Sequence, residues 1–194
     1  MTSLIVGDDG RPRCAWVGHD AEYQRYHDDE WGAPLHGDRP LFEKLSLEGF
    51  QAGLSWITIL RRRETFRLAF RDFDIDAVAA FDERDVERLM ADPGIIRNRL
   101  KIDATISNAR VTQQLVRDNA GALDQLIWGF APPRRGHAPA SFAELPAVTP
   151  ESTALSKALK KLGYRFVGPT TVYALMQSGG LVDDHIAGCW RSSY

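Results

Sequence analysis

Apolar residues recur along this chain at helical spacing almost from end to end. Asp38-Arg39-Pro40 reads as an N-cap with proline at the helix start, and Leu41, Phe42, Leu45 and Leu47 behind it predict a helix over about 39–52. Ser55 is suited to cap a second helix over 56–63, and 65–70 continues the pattern. Asp74 or Asp76 opens a short helix through Phe81, and 83–90 forms another with Val86, Leu89 and Met90 on its apolar face. Asp92-Pro93-Gly94 signals a turn before a long helix over 97–119, whose Ile102, Ile106, Ala109 and Leu115 point inward. A short helix is expected over 123–130. The stretch APPRRGHAPASFAELPAVTP, 131–150, has prolines and no period, as a surface loop does. Ser152 to Leu162 is helical with Gly163 as its C-cap, and Gly168-Pro169 opens a last helix that ends near Gly179-Gly180. Strand signals are few, and 164–167 is too short to build a sheet. The expected class is all-α, with an extension over 1–12 and one domain over 13–194 that has room for two helical lobes and a cleft.

The 194 residues suffice for one well-buried domain. No apolar run approaches the roughly 20 residues that cross a bilayer, so no membrane partner is expected. The opening MTSLIVGDDG lacks the basic start and apolar core of a secretory signal, which makes the cytoplasm the expected location. In that reducing compartment the two cysteines, Cys14 and Cys189, suit metal binding or burial better than a disulfide. A formal net charge of −2 argues mildly against a nucleic-acid protein, but phosphate contact needs a local positive face, not a positive total. Basic residues do cluster, at Arg61–Arg63, at Arg97, Arg99 and Lys101, and at Lys157, Lys160 and Lys161, a pattern that solvated helix faces also produce.

Three groups of residues carry candidate chemistry. The first is the segment from Leu89 to Arg99, which joins two helices through a glycine turn. Backbone N–H groups at the start of the second helix, with Gly94, Ile96 and Arg97 beside them, could hold phosphate, although an ordinary helical hairpin looks the same. The second is Cys14, His27, His185 and Cys189. His185 and Cys189 are four apart, which on a helix puts them on one face. Two thiolates and two imidazoles make a closed tetrahedral set for a structural Zn2+, and the alternative is four unrelated buried or surface residues. The third is the aromatic run Trp16, Tyr23, Tyr26, Trp31 and Trp56 around the carboxylate of Glu48. It suits a flipped base, and a tryptophan-rich core would also explain it.

Taken together, these residues resemble the bacterial 3-methyladenine DNA glycosylase I family of the helix-hairpin-helix glycosylase superfamily. The resemblance runs from about Arg13 to Cys189. It is carried by Arg13-Cys14-Ala15-Trp16-Val17, Tyr26-His27-Asp28-Asp29-Glu30-Trp31-Gly32, the stretch from Leu47 to Thr58, Gly94-Ile95-Ile96-Arg97, Leu155 to Lys161, Phe166-Val167-Gly168, and Asp184-His185. It implies an all-α, helix-hairpin-helix fold with Cys14, His27, His185 and Cys189 on zinc. It also implies that Glu48 and Tyr26 hydrogen-bond the methylated adenine, with Trp56 stacked on it and Trp16, Tyr23 and Trp31 as further pocket aromatics. Gln51, Gly53 and Leu54 fall on the segment that resembles the family's wedge into the gap left by the flipped nucleotide. Phe50 departs from the pattern, standing where a glutamine is common, and the chain begins with about ten extra residues.

The implied activity is hydrolytic removal of 3-methyladenine from double-stranded alkylated DNA by a monomer, with free base as product. N3-methylation makes the base cationic, so an indole face and a glutamate together favour it over a neutral purine. Nothing marks a lysine as a Schiff-base nucleophile, so strand cleavage is not expected. A non-catalytic zinc-stabilised DNA-binding module would not need Glu48, Tyr26 and Trp56. A zinc hydrolase would need an open metal position, which four protein ligands deny.

Overall fold

The computed structural model describes residues 3–194. Among them are ten α-helices: α1 (Ala21–Asp29), α2 (Asp38–Gln51), α3 (Trp56–Leu60), α4 (Arg63–Ala69), α5 (Ile75–Ala79), α6 (Glu83–Ala91), α7 (Arg99–Val116), α8 (Ala122–Trp128), α9 (Pro150–Leu162) and α10 (Pro169–Ser178). A two-stranded antiparallel ribbon, β1 (Leu4–Val6) and β2 (Pro12–Cys14), pairs Leu4 with Cys14. No described helix is long and apolar enough to cross a membrane.

The organising element is α2. Every residue from Leu41 to Phe50 except Glu43 is buried, because α2 packs against α3, α7, α8 and α10 at once. A helix enclosed on all sides carries no polar stripe, and the charged side chains it does hold must find partners inside. Phe42 and Phe50 lie in an aromatic core with Phe66, Phe70 and Phe73, and each contributes about 1.5–3 kcal/mol by burial. Phe50 is fully buried, with its ring centroid 4.7 Å from that of Phe66. Its departure from the family pattern is therefore a packing choice beneath the turn that follows α2.

Several boundaries differ from the sequence-based expectation, each for a local reason. Asp38 is not the N-cap of α2. That position is Gly37, and the Asp38 carboxylate instead accepts the backbone N–H groups of Gly121, Leu123 and Asp124 at 2.6–3.1 Å, closing the start of α8. The stretch 56–70 breaks at Arg61-Arg62 into α3 and α4. α7 begins at Arg99, because the Asn98 side chain accepts from the N–H of Lys101, and it ends at Val116 with Leu115 only half-buried. α9 starts at Pro150, two residues early, with Thr149 and Ser152 forming a capping box. Gly163 closes it as expected.

Two elements were not anticipated. α1 is capped by Asp20, which accepts from the N–H of Tyr23, but its apolar face is made of tyrosines and gives a weak periodic signal. Most of the ribbon falls within the described part, residues 3–12, of the expected extension over 1–12. Its last residue, Cys14, belongs to a small separate core with Ile186 and Cys189, against which Leu4, Trp16, Trp31, Phe142 and Leu145 pack.

Candidate active site and metal cluster

Lys44 and Glu48 lie one turn apart on α2, both inside the molecule, with Nζ 3.8 Å from Oε1. Glu48 is 3% exposed, and its Oε1 accepts a 2.8 Å hydrogen bond from Ser178 Oγ at the end of α10. Burial pushes the Glu48 carboxyl above its usual range, while Lys44 and the Ser178 hydroxyl act the other way. Lys44 Nζ donates to the Tyr26 hydroxyl at 2.8 Å and lies 4.1 Å from the ring centroid of Trp56. Burial brings Lys44 down to about 8 against the pull of Glu48 and Glu30. The Tyr26 and Trp56 rings are tilted by 42° with centroids 5.5 Å apart, and the buried Trp56 Nε1 has no hydrogen-bond partner. Trp56, Lys44 and Ser178 form part of the wall of a cavity of about 230 Å3, together with Glu30, Leu47 and Arg63. Glu48 and Tyr26 do not line this cavity themselves; they bond Ser178 and Lys44, which do. Arg63 pairs with Glu30 at 2.9 Å, and burial and this pairing act in opposite directions on the Glu30 carboxyl, with the pairing prevailing to hold it low.

The three remaining aromatics form a bridge rather than a ring around Glu48. Trp16 meets Tyr23 edge-on at 4.8 Å and Trp31 at 5.2 Å, and it also touches His27. Trp31 lies against both histidines, with ring centroids 6.1 Å from His27 and 4.7 Å from His185. Burial, helped by Glu48 and Asp20, pushes the Tyr23 phenol upward.

Cys14, His27 and Cys189 bring their ligand atoms within 4.8 Å of one another, all buried. Cys189 Sγ is 3.4 Å from His27 Nε2, and the hydrogen bond from Cys14 holds Cys189 down to about 4 while Cys14 is pushed up. His185 stands at the edge of this group, its ring 5.1 Å from that of His27, and its buried Nε2 has no hydrogen-bond partner. Both histidines have Nδ1 held by a carboxylate at 2.8 Å, Asp28 for His27 and Asp183 for His185, which leaves Nε2 as the free ligand atom on each. Two thiols and two imidazoles oriented through Nδ1, one of them with an unpartnered Nε2, fit a thiophilic metal such as zinc. The spacing of four between His185 and Cys189 would share one face on a helix, but no helix forms over them. They lie in a turn where Cys189 N–H bonds Ile186 C=O at 2.9 Å, and the ribbon brings Cys14 to them. Gly32 is required here, because a Cβ at that position would come within 2.7 Å of His185 Cε1. A larger cavity of about 750 Å3 lies beyond His185, between 132–135 and the chain end, and none of the cage residues line it.

The segment from Leu89 to Arg99 runs from the end of α6 through a turn over 92–98 into the start of α7. Asp92 accepts from Gly94 N–H at 2.7 Å and Thr65 donates to Gly94 C=O at 2.6 Å, so the turn is pinned to α4. Ile95 is buried, Ile96 half-buried and Arg97 exposed. Arg99 is paired with Glu83 at 2.6 Å. Lys101 is buried and donates to the carbonyls of Phe50 and Ala52 at 2.8 and 2.6 Å, which removes it from the phosphate candidates. These bonds close the C-terminal end of α2. They hold the turn of Gln51, Gly53 and Leu54, where Gly53 has φ +83° and Leu54 is 42% exposed.

Two members of the cage escaped the sequence reading. Lys44 had a usable signal, its spacing of four from Glu48, while Ser178 lies 130 residues away and had none.

The family model for methyladenine glycosylase matches residues 16–192. The chain is 49% identical over 182 residues to DNA-3-methyladenine glycosylase 1 of Escherichia coli, covering 91% of this chain and 95% of that protein. It is 45% identical to DNA-3-methyladenine glycosylase of Haemophilus influenzae over 91% of this chain and 96% of the relative. A 3-methyladenine DNA glycosylase I from Staphylococcus aureus, whose structure concerns 3-methyladenine recognition, superposes with a TM-score of 0.87 at 34% identity, covering 94% of this chain and 97% of that one. On this evidence of fold, site and sequence together, the chain belongs to the methyladenine glycosylase family.

Proposed function

We propose that this protein is a DNA base excision repair glycosylase that removes 3-methyladenine from alkylated double-stranded DNA. The observation that carries this reading is a buried carboxylate, Glu48, within one lysine's reach of an indole and a phenol. An anionic acceptor next to a stacking face gains most from a base that is both flat and cationic. Burial strengthens the attraction, since little water competes for the carboxylate.

In this reading the lesion turns out of the duplex, Leu54 and its neighbours enter the gap, and the base stacks on Trp56. Glu48 accepts from the exocyclic amine and Tyr26 adds a second hydrogen bond. Trp16 and Tyr23 line the approach, and Trp31 supports it from the metal cluster. The C1′–N bond breaks with its electron pair passing to the purine, which leaves as a neutral molecule. Water adds to C1′ of the oxocarbenium-like sugar and loses its proton to solvent. The methyl group already supplies the charge that makes the base a good leaving group, so tight differential binding does most of the work. The chain stops at an abasic site without cutting the strand. Gly94, Ile96 and Arg97 of the hairpin turn meet the phosphate backbone.

Cys14, His27 and Cys189, with His185 as fourth ligand, would hold a Zn2+, which would serve as a structural clip between the two chain ends. The functional test is release of free 3-methyladenine from methylated duplex DNA. The proposal requires that base in the soluble fraction with no strand break, and its retention on the DNA would refute it.

A further inference from the structure

Lys44 occupies the position that the foregoing reading gives to the substrate's charge. Its ammonium contacts the same three groups that would recognise a cationic purine: the Tyr26 hydroxyl at 2.8 Å, the Trp56 ring at 4.1 Å and Glu48 Oε1 at 3.8 Å. We propose that Lys44 is a specificity-determining residue whose ammonium is the resident cation of this cage, and that a cationic base takes the seat only when Lys44 gives up its proton. The inference rests on the glycosylase reading above and assigns within it a group that reads the charge of the base.

The argument is one of charge balance. Lys44 and Glu48 together sum to zero inside the molecule. A permanently cationic base added to that pair would leave a net buried positive charge, which is costly. If the proton leaves Nζ for solvent as the base enters, the base's charge replaces the lysine's and the sum returns to zero. A neutral adenine brings no charge to replace it, so Glu48 stays paired with Lys44 and ordinary purines are turned away. The charged and polar groups that touch Lys44, act on it or line its cavity are Tyr26 and Asp29 on α1, Glu30 just beyond it, Glu43 and Glu48 on α2, Arg63 and Arg67 on α4 and Ser178 on α10. Of the carboxylates, Glu30 is already held by Arg63 and Glu43 by Arg67, so neither is free to retain the ammonium in place of Glu48. Burial moves Lys44 down to about 8, within reach of a proton exchange near neutrality.

The test compares kcat/KM for 3-methyladenine release from duplex DNA at pH 7 and pH 9, with melting temperature as the check on folding. With Lys44 titrating at about 8, roughly one molecule in eleven has the neutral lysine at pH 7, so the wild-type value should rise about tenfold by pH 9. Lys44→Met should exceed wild type about tenfold at pH 7 and equal it at pH 9. Lys44→Arg, whose charge cannot be lost, should stay below wild type at both. A folded Met variant no faster than wild type at pH 7, or a wild type with no rise, overturns the inference. Should the Met variant not fold, calorimetry of wild type with a duplex carrying a 2′-fluorinated, hydrolysis-resistant 3-methyladenine nucleotide decides. About one proton released per lesion at pH 7 supports the exchange, and none refutes it. Failure of wild type to release base at any pH would sink the glycosylase reading itself, a result distinct from all of these.

Discussion

Ser178 Oγ donates a 2.8 Å hydrogen bond to Glu48 Oε1 across 130 residues of chain, joining the end of α10 to the last turn of α2. Removing it with Ser178→Ala deprives the buried carboxylate of one of the two groups that favour its charged form. The pKa of Glu48, already raised by burial, rises further. The acid limb of the kcat/KM profile should therefore move to higher pH, with a loss of about 1–2 kcal/mol in stability. An unmoved acid limb in a folded variant would separate Ser178 from the function of Glu48.

Glu48→Gln keeps the size of the side chain and removes its charge. Base release should fall by roughly a hundredfold, a loss on the scale of deleting one electrostatic contact to a transition state. Stability should respond differently. A carboxyl whose folded pKa is raised above 4.5 contributes stability at low pH that is lost as pH rises through the folded value. The glutamine variant lacks that loss, so its melting temperature should fall less than that of wild type between pH 4 and pH 7. Parallel thermal melts at the two pH values read this directly.

Leu54 is exposed at the tip of the turn after α2 and makes little contact with the core. Leu54→Ala should leave the melting temperature unchanged and lower activity on duplex DNA about tenfold, the loss of one apolar wedge that helps offset unstacking. Binding of free 3-methyladenine, which needs no flipping, should be unaffected. Equal losses in both assays would place Leu54 in the pocket instead.

Cys14→Ser and His185→Ala test the proposed metal clip separately. Cys14 lies in the three-residue cluster, and its loss should abolish zinc by elemental analysis and lower the melting temperature by on the order of 10 °C. His185→Ala should weaken zinc retention against a chelator while leaving some metal bound. Full zinc content with unchanged retention in the histidine variant would remove His185 from the ligand set.

Lys101 illustrates how charge clusters are read from sequence and what packing does with them. Beside Arg97 and Arg99 it looks like part of a phosphate-binding stripe. In the folded chain it turns inward to the carbonyls of Phe50 and Ala52, and Arg99 pairs with Glu83, which leaves Arg97 as the exposed member of the three. Lys101→Met should accordingly loosen the turn of Gln51–Leu54 and lower stability by about 1–3 kcal/mol, the cost of leaving buried carbonyls unpaired. A stable variant with weakened DNA binding alone would return Lys101 to the phosphate contacts.

What the linear chain settled is whatever depends on neighbours within one helical turn. The period of apolar residues placed α2, α6, α7, α9 and α10 to within a few positions, Gly163 marked its cap, and the ordered motifs carried the family resemblance. The spacing of Lys44 and Glu48 was equally local and could have been read. Tertiary structure alone decided that Asp38 closes α8 rather than α2, that Ser178 meets Glu48, and that Cys14 and Cys189 share one small core. It also decided that Trp31 sits with the histidines rather than beside Glu48. The reason is that helix period and capping are satisfied by groups a few bonds away. A buried carboxylate or thiol takes whichever partner the packing of distant helices delivers, and no local pattern encodes that choice.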